Sequence, residues 1–594
     1  MKPPLLSSVL PLVMILFVNS IMISLMISLS SCDFMKKSGP NIARISLESK
    51  ITSLDPANAY DLVSGNIVYQ IYETLYEYHY LKRPYTIQPL LAEALPIIED
   101  KGKKYIIKIK KNVLYHNNAC FKGEKRFLKA QDFVTEFKRL AFAPTNSNGM
   151  WSFSGVVKGL KEFRELAKND FDLFKKLNIE GIKTPDDYTL VIELTEALPQ
   201  FTFLLAMSHA APIPLEAFDC YRNDFQDQDL GTGPFFIKEL NKEGMIKLER
   251  FKDYRNEYYP TTGDRWSHDH DLLRDAGKKI PFLDGIEFSY TKDFKSRWDL
   301  FIDKKIDIID NIPKDQINTY ITPSGDLGPE LINKHINFMV SPSLIYWWLA
   351  FNMNDPIVGK NKNLRYAIAY AIDIDKLIKL FTHNIGQRAN SIYPPSIVGY
   401  DPRKQLNFTY NLDVAKKYLK LAGAGHDYNE KKPPLTITFD TRGNDTKNIL
   451  QAEFIKAELK KIGIEVNIQL NSFSEFLEKA RKGKLQFWQG GWALDFPDPI
   501  NVLQLLSSKN FPPGPNNYFY NNKKFEELFN KASKMENDQE KFILLRDIEN
   551  IVLEDLPWIM TYYDRRYVLY NHTLKNYRHS DLVYNYLKYV KIAY

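Results

Sequence analysis

Gly490-Gly491-Trp492-Ala493-Leu494-Asp495-Phe496-Pro497-Asp498-Pro499 gathers two glycines, two aromatic rings, two carboxylates and two prolines, directly after the strand-like Leu485-Gln486-Phe487-Trp488. Two chemistries suit this set. In the first, the glycines let another backbone come close, and an exposed strand edge pairs with an extended peptide. In the second, Asp495 and Asp498 work as an acid pair in hydrolysis. The second is disfavoured, because catalytic carboxylates usually come from separate elements flanking the scissile bond, and these two share one proline-bounded loop. The chain also has no H-E-x-x-H helix and no G-x-S-x-G elbow. By residue type alone, Asp498 belongs to an Asp-Pro turn and Asp495 is a turn-initiating aspartate.

Other reactive groups are sparse. The ten histidines are scattered, and Cys120 and Cys220 lack C-x-x-C spacing, so no metal site is expected. Gly231-Thr232-Gly233-Pro234 has neither the third glycine nor the Gly-Lys-Ser/Thr ending of a phosphate loop, and reads as a tight turn before the strand Phe235-Phe236-Ile237. A net charge of +7 on 594 residues is too weak and too evenly spread for nucleic acid to be the partner. The basic run from Lys101 to Lys111 alternates with Tyr105, Ile107 and Ile109, as a solvated sheet face does.

The elements that must position the loop are those of a mixed α/β body. Leu435-Thr436-Ile437-Thr438-Phe439 alternates like a strand; Leu450, Phe454, Ala457, Leu459 and Ile462 follow at helical spacing. Gly463 caps that helix, and Ile464 to Leu470 alternates again, so the unit predicts two parallel strands of one sheet. Leu364, Ala367, Ile368, Ala371 and Ile372 form another core-facing stripe. Thr189 to Leu194 reads as a strand entered through an Asp186-Asp187 turn, and Ala197 to Ala206 as a short apolar helix. Hydrophobic residues at 44% and charged residues at 25% are ordinary globular values, and the length predicts three or four compact units.

The N-terminus carries an address. No charged side chain occurs from Pro3 to Cys32, and Leu29-Ser30-Ser31-Cys32 resembles a bacterial lipoprotein processing site, with residues 1–31 as signal peptide and Cys32 as the lipidated first residue. A signal-anchor helix is the alternative, since the apolar stretch approaches bilayer length. Export would permit Cys120 and Cys220 to pair, although two lone cysteines in so long a chain are more often free and buried.

A resemblance emerges from separated segments. Ser53-Leu54-Asp55-Pro56, Ile71 to Tyr76, Pro89 to Glu93, Lys129 to Phe133, Gly181 to Leu190, Gly231 to Phe235, Pro281 to Ile286, Phe351 to Asn354 and Leu364 to Asp373 resemble, in order, the oligopeptide-binding proteins of ABC importers. The resemblance implies an α/β, bilobed periplasmic-binding-protein fold, type II-like, with an extra domain and a hinge. Residues 33–65, 195–342 and 558–594 would form the first lobe, 66–194 the extra domain and 343–557 the second lobe.

The resemblance also implies ligand-binding residues. Asp495 takes the place of the family's aspartate that holds a peptide α-ammonium, with Gly490, Gly491, Trp492 and Ala493 beside it. Tyr60, Asp61 and Leu62 would run along the other side of the ligand, and Tyr562 and Tyr563 could add hydroxyls. Gln489 stands where well-known members carry a carboxylate-binding arginine, and an amide cannot form that bidentate ion pair. Arg481 would substitute only after a one-residue shift in register. The implied protein is a monomeric extracytoplasmic receptor without cofactor, lipid-anchored at the periplasmic face of the inner membrane, that captures short peptides and delivers them to an ABC permease. Dipeptide, cell-wall peptide, nickel and haem binders of the same family, and an exported hydrolase, are the alternatives.

Overall fold

The computed structural model describes residues 41–593 apart from 60, 242–243, 311, 313–315, 323–325, 407, 424–434 and 513. The signal segment, Cys32 and Tyr60 lie outside the described residues. Among those described, no helix is long and apolar enough to cross a membrane.

One eleven-stranded sheet runs through the molecule. In chain order its strands are β1 (Ile42–Leu47), β2 (Phe235–Leu240), β3 (Met245–Arg250), β4 (Gly285–Tyr290), β5 (Ile308–Ile309), β6 (Ile336–Phe351), β7 (Gln387–Arg388), β8 (Leu435–Asp440), β9 (Ile464–Gln469), β10 (Phe487–Ala493) and β11 (Trp558–Asn571). The spatial order is β9-β8-β10-β6-β11-β5-β1-β4-β3-β2, with β7 also on β11. A smaller four-stranded sheet is built from Ile97–Glu99, Lys104–Lys108, Thr189–Glu193 and Ile182–Asp186, all within residues 66–194.

The two long strands β6 and β11 join the halves. Ile336–Pro342 pairs with Arg565–Asn571 on the side of β5 and β1, and Tyr346–Ala350 pairs with Trp558–Tyr563 on the side of β10 and β8. Between them the register slips, from Pro342 opposite Arg565 to Tyr346 opposite Tyr563. Pro342 has no N–H to give to a ladder, so the sheet is interrupted where its two halves meet. Asp581 braces the interruption: its Oδ2 accepts from Ser343 Oγ and from Leu344 N, each at 2.8 Å.

The strand-helix-strand unit forms as its periodicity predicts, with β8 and β9 parallel and Leu435 opposite Ile464. The Asp445 side chain caps the helix Thr446–Lys460 between them, accepting from Lys447 N and Asn448 N. Gly463 holds φ +85°, left-handed backbone that favours glycine. The buried face of that helix is Ala452, Ile455 and Leu459, and Leu450 is exposed, so the stripe lies one step round from the predicted one. The stripe on Lys362–Ala371 matches prediction, with Leu364, Ala367, Ile368 and Ala371 buried.

The expected helix at 197–206 shrinks to Phe201–Leu204. Gly231-Thr232-Gly233-Pro234 is a docking turn: Gly233 N donates to Ile71 O at 2.8 Å, and a Cβ on Gly231 would lie 1.8 Å from that oxygen. One continuous core links β1, β4, the small sheet and the helix Ala130–Ala141. A second core packs β8, β9 and the C-terminal end of β6 under helices Lys362–Ala371 and Thr446–Lys460.

Candidate functional site

β10 extends further than its glycines suggested, through Gly490, Gly491 and Trp492 to Ala493. β6 holds it in antiparallel register from Phe351 opposite Phe487 to Ile345 opposite Ala493. The glycines fit because tryptophan rings of β6 fill the space where their side chains would be. A Cβ on Gly490 would lie 2.3 Å from Trp348 Nε1, and one on Gly491 would lie 2.4 Å from Trp347 Cε3. Trp348 points into an aromatic core with Tyr346, Tyr518 and Trp558. Trp347, one position along and therefore on the opposite face, stacks on Tyr562 at 6.2 Å.

The other edge of β10 is only partly covered. β8 pairs with it at Phe439 opposite Phe487 and Asp440 opposite Trp488, and there β8 ends. Among the described residues no further strand pairs with Gln489–Ala493 on that side. Five residues of strand therefore present a free edge, about 17 Å long at 3.4 Å per residue.

At each end of this edge lies a charged group that is unpaired among the described residues. Asp495 follows the strand and is half-buried; Asn501 Nδ2 donates to its Oδ2 at 3.1 Å. Asn501 is itself fixed by Trp492, whose Nε1 donates to Asn501 Oδ1 at 2.8 Å. Among the described residues no Lys, Arg or His forms an ion pair with Asp495, and burial raises its pKa above the ordinary carboxylate value despite the Asn501 bond. At the other end, where β8 stops, Arg442 lays its guanidinium 5.1 Å from the Trp347 ring centre, close also to Phe473 and Phe476. It forms no ion pair or side-chain hydrogen bond among the described residues, and burial lowers its pKa.

The sequence did not single out Arg442. The available signal was its place in Thr441-Arg442-Gly443, just past the C-terminal end of a parallel strand, where open α/β sheets gather their ligand groups. Arg481 instead ends the helix Phe473–Arg481, exposed and donating to Leu477 O at 3.3 Å.

The remaining predicted residues divide into two groups. Gln489 is buried in β10 opposite Leu349, with its side chain against the Tyr562 hydroxyl. Tyr562 is buried, its phenol pKa raised by burial and then by Asp564. Tyr563 turns to the other side, where its hydroxyl donates to Ser391 O at 2.7 Å and accepts from Ser391 N at 2.9 Å, so its hydrogen-bonding capacity is used by backbone. Asp61 caps the helix Leu62–Ile71, accepting from Ser64 N at 2.8 Å and Thr52 Oγ1 at 2.5 Å. Burial acts to raise the Asp61 pKa, but these hydrogen bonds bring it below the ordinary value. Leu62 is 61% exposed. Neither Asp61 nor Leu62 bonds to residues 489–495.

Asp498 is structural: buried, it caps the helix Pro499–Leu503 through Ile500 N at 2.9 Å and lies 3.6 Å from the buried Lys541 ammonium. Asp495 and Asp498 are therefore not an acid pair, since one is committed to a cap and a cation. Phe496, between them, stacks at 5.9 Å on Phe203 from the other half of the molecule, and Gln200 Nε2 reaches Asp498 Oδ1 at 3.4 Å. The loop after β10 is thus one of the places where the two halves touch. A cavity of about 570 Å³ elsewhere, bounded by Asp55, Arg139 and Phe218, contains none of the predicted residues, and Arg139 there is paired with Asp55 and Glu136 at 2.6 Å each. No group of three or more His, Cys, Asp or Glu among the described residues is arranged to hold a metal ion.

Comparison with known proteins places this geometry in context. The chain is 26% identical over 475 residues to a dipeptide-binding protein of Escherichia coli (strain K12), covering 79% of each chain. It is 24% identical over 532 residues to the oligopeptide-binding protein OppA of Bacillus subtilis (strain 168), covering 88% of each. The structure of HbpA2 from Haemophilus parasuis superposes with a TM-score of 0.75 at 22% identity, over 93% of this chain and 100% of that one. The model of the bacterial extracellular solute-binding proteins, family 5 middle, matches residues 86–514. With most of its length accounted for, the chain belongs to the family 5 bacterial extracellular solute-binding proteins.

Proposed function

We propose that the protein is an extracytoplasmic receptor that binds a short peptide as an added strand on the free edge of Gln489–Ala493 and passes it to an ABC permease. The observation that carries the proposal is the five-residue edge, unpaired among the described residues and bounded by a carboxylate and a guanidinium that form no ion pair among them. The peptide runs antiparallel to β10, its α-ammonium on Asp495 and its terminal carboxylate on Arg442. Backbone bonds along the edge give affinity without reading side chains, and the two charges fix the direction. Arg442 thus takes the role that Gln489 cannot perform. The length of the edge suits peptides of about two to five residues.

Trp347, Tyr562 and Gln489 form the floor of this site in the proposal, and Asp61 and Leu62 approach from the facing lobe. Tyr563 is assigned to the framework. Rotation about the β6 and β11 crossings closes the lobes, with Phe203 and Phe496 meeting at the rim. The names of the E. coli and B. subtilis relatives, a dipeptide-binding and an oligopeptide-binding protein, support a peptide ligand. A lipid on Cys32 would keep this monomeric receptor at the membrane, raising its effective concentration at the permease. Native mass spectrometry of the protein purified from its host tests the reading: a population of short peptides is expected, and a bound metal ion or haem in their place contradicts it.

A further inference from the structure

Cys120 and Cys220 are the two cysteines among the described residues; both are free thiols here, Cys120 half-buried and Cys220 exposed, and their elements pack together. Cys120 lies in the short turn Ala119–Phe121, within residues 66–194, and Cys220 in the helix Leu215–Tyr221, which packs on that turn. Asn118 is the joint. Its Oδ1 accepts from Cys120 N at 3.0 Å and from the Tyr221 hydroxyl at 2.6 Å, and its Nδ2 donates to Asp229 O at 3.2 Å. Cys120 and Tyr221 pack against the same core, and Cys220 is exposed at its margin. Electrostatics agree with this proximity: burial and then the Cys220 charge push the Cys120 thiol up to about 12. The Tyr221 phenol, raised first by burial, also responds to both sulfurs.

We propose that Cys120 and Cys220 are an oxidisable pair that closes into a disulfide outside the cytoplasm, cross-linking the 66–194 segment to the helix that follows it. The oxidant is a disulfide-bearing thiol oxidoreductase of the export compartment. The exposed Cys220 reacts first: its thiolate attacks the oxidoreductase disulfide, a mixed disulfide forms, and one oxidoreductase sulfur leaves as a thiol, taking up the proton that Cys220 released. The Cys120 thiolate attacks the Cys220 sulfur, the Cys120–Cys220 bond forms, and the second oxidoreductase sulfur leaves as a thiol with the Cys120 proton. Two protein thiols lose two electrons, and one oxidoreductase disulfide becomes a dithiol. The cross-link closes a long loop and so restricts the unfolded chain. The inference rests on the extracytoplasmic location of the family and is independent of the ligand.

The test is exported full-length protein, denatured without reductant, alkylated, digested and mapped by mass spectrometry. Cys120 and Cys220 are expected to be unalkylated and recovered as one linked peptide pair that separates on reduction, and the oxidised protein to melt several degrees above its reduced form. The same chain kept in a reducing cytosol should be alkylated at both positions. Alkylation of both cysteines in the exported protein, or a linkage of either to Cys32, overturns the inference. Peptide binding measured on the same preparation separates the two questions, since binding retained without the cross-link overturns only the disulfide.

Discussion

Asn501 holds Asp495 from one side and Trp492 from the other, donating through Nδ2 to Asp495 Oδ2 at 3.1 Å and accepting through Oδ1 from Trp492 Nε1 at 2.8 Å. The indole N–H can only donate, so it fixes which way the amide faces and leaves Asn501 as a donor to the carboxylate. One carboxylate oxygen is thus anchored by the fold, and the proposal gives the other to the ligand. Asn501→Ala frees the carboxylate to rotate and leaves the indole N–H unpaired. Loss of a bond to a charged group, worth about 1.5–3 kcal/mol, predicts peptide affinity about tenfold to a hundredfold lower by calorimetry.

Burial raises the Asp495 pKa, which gives pH dependence a definite sign. The unliganded fold favours the protonated acid, so the Asp495 contribution to stability is greatest at low pH and is lost as pH rises from the unfolded pKa to the folded one. A peptide ammonium favours the ionised acid, so affinity falls as pH drops through the raised pKa. Asp495→Asn should therefore keep or raise the melting temperature at neutral pH while abolishing the acid limb of the affinity profile. A melting temperature that drops sharply, with affinity intact, contradicts the assignment.

Arg442 is expected to read the other terminus. Arg442→Gln should weaken a free-acid peptide by at least about thirtyfold, the lower range for truncating one partner of a buried charge pair, and leave the C-terminally amidated peptide nearly unchanged. Equal losses for both peptides would assign Arg442 to packing against Trp347 alone.

Part of this arrangement is legible in the sequence. The switch from period two to helical period and back marks β8, the helix Thr446–Lys460 and β9, because each buries its own face. Asp498-Pro499, read from its residue types as a turn, is instead the capped start of a helix. The glycines mislead: as local breakers they end a strand, yet here β10 passes through them, because the rings of Trp347 and Trp348 on a strand distant in sequence fill the space. Arg442 is overlooked for a related reason: its place past a strand end is a weak signal, and what makes it special is where β8 stops beside β10.

That reading of the glycines can be tested. Gly491→Val places side-chain atoms within the Trp347 ring and should cost about 1–3 kcal/mol, the usual range for overpacking. Trp347→Ala in the same chain should restore part of that stability, measured by denaturant unfolding. Strict additivity of the two changes would show that the ring and the glycine do not meet.

His116 supplies a stability limit on the alkaline side. Its ring is buried with Nδ1 2.6 Å from Asp229 Oδ1 and Nε2 2.9 Å from Gly233 O, so both nitrogens face acceptors. Burial acts to lower its pKa, but Asp229, Gly233 and Glu73 outweigh it and the pKa is raised. The stabilisation is full below the unfolded value of about 6.5 and is lost as pH rises through the folded value. His116→Gln should flatten the melting temperature across that window, as read by thermal scans at stepped pH.

Calorimetric titration with one short peptide in two forms, free-amine and N-acetylated, against the parent protein and Asp495→Asn, tests the central claim most directly. The parent should prefer the free amine by at least about thirtyfold, as expected for a buried charge pair, and the variant should bind both forms alike and weakly. Equal affinity of the parent for both forms contradicts the assignment of Asp495 as the ammonium anchor.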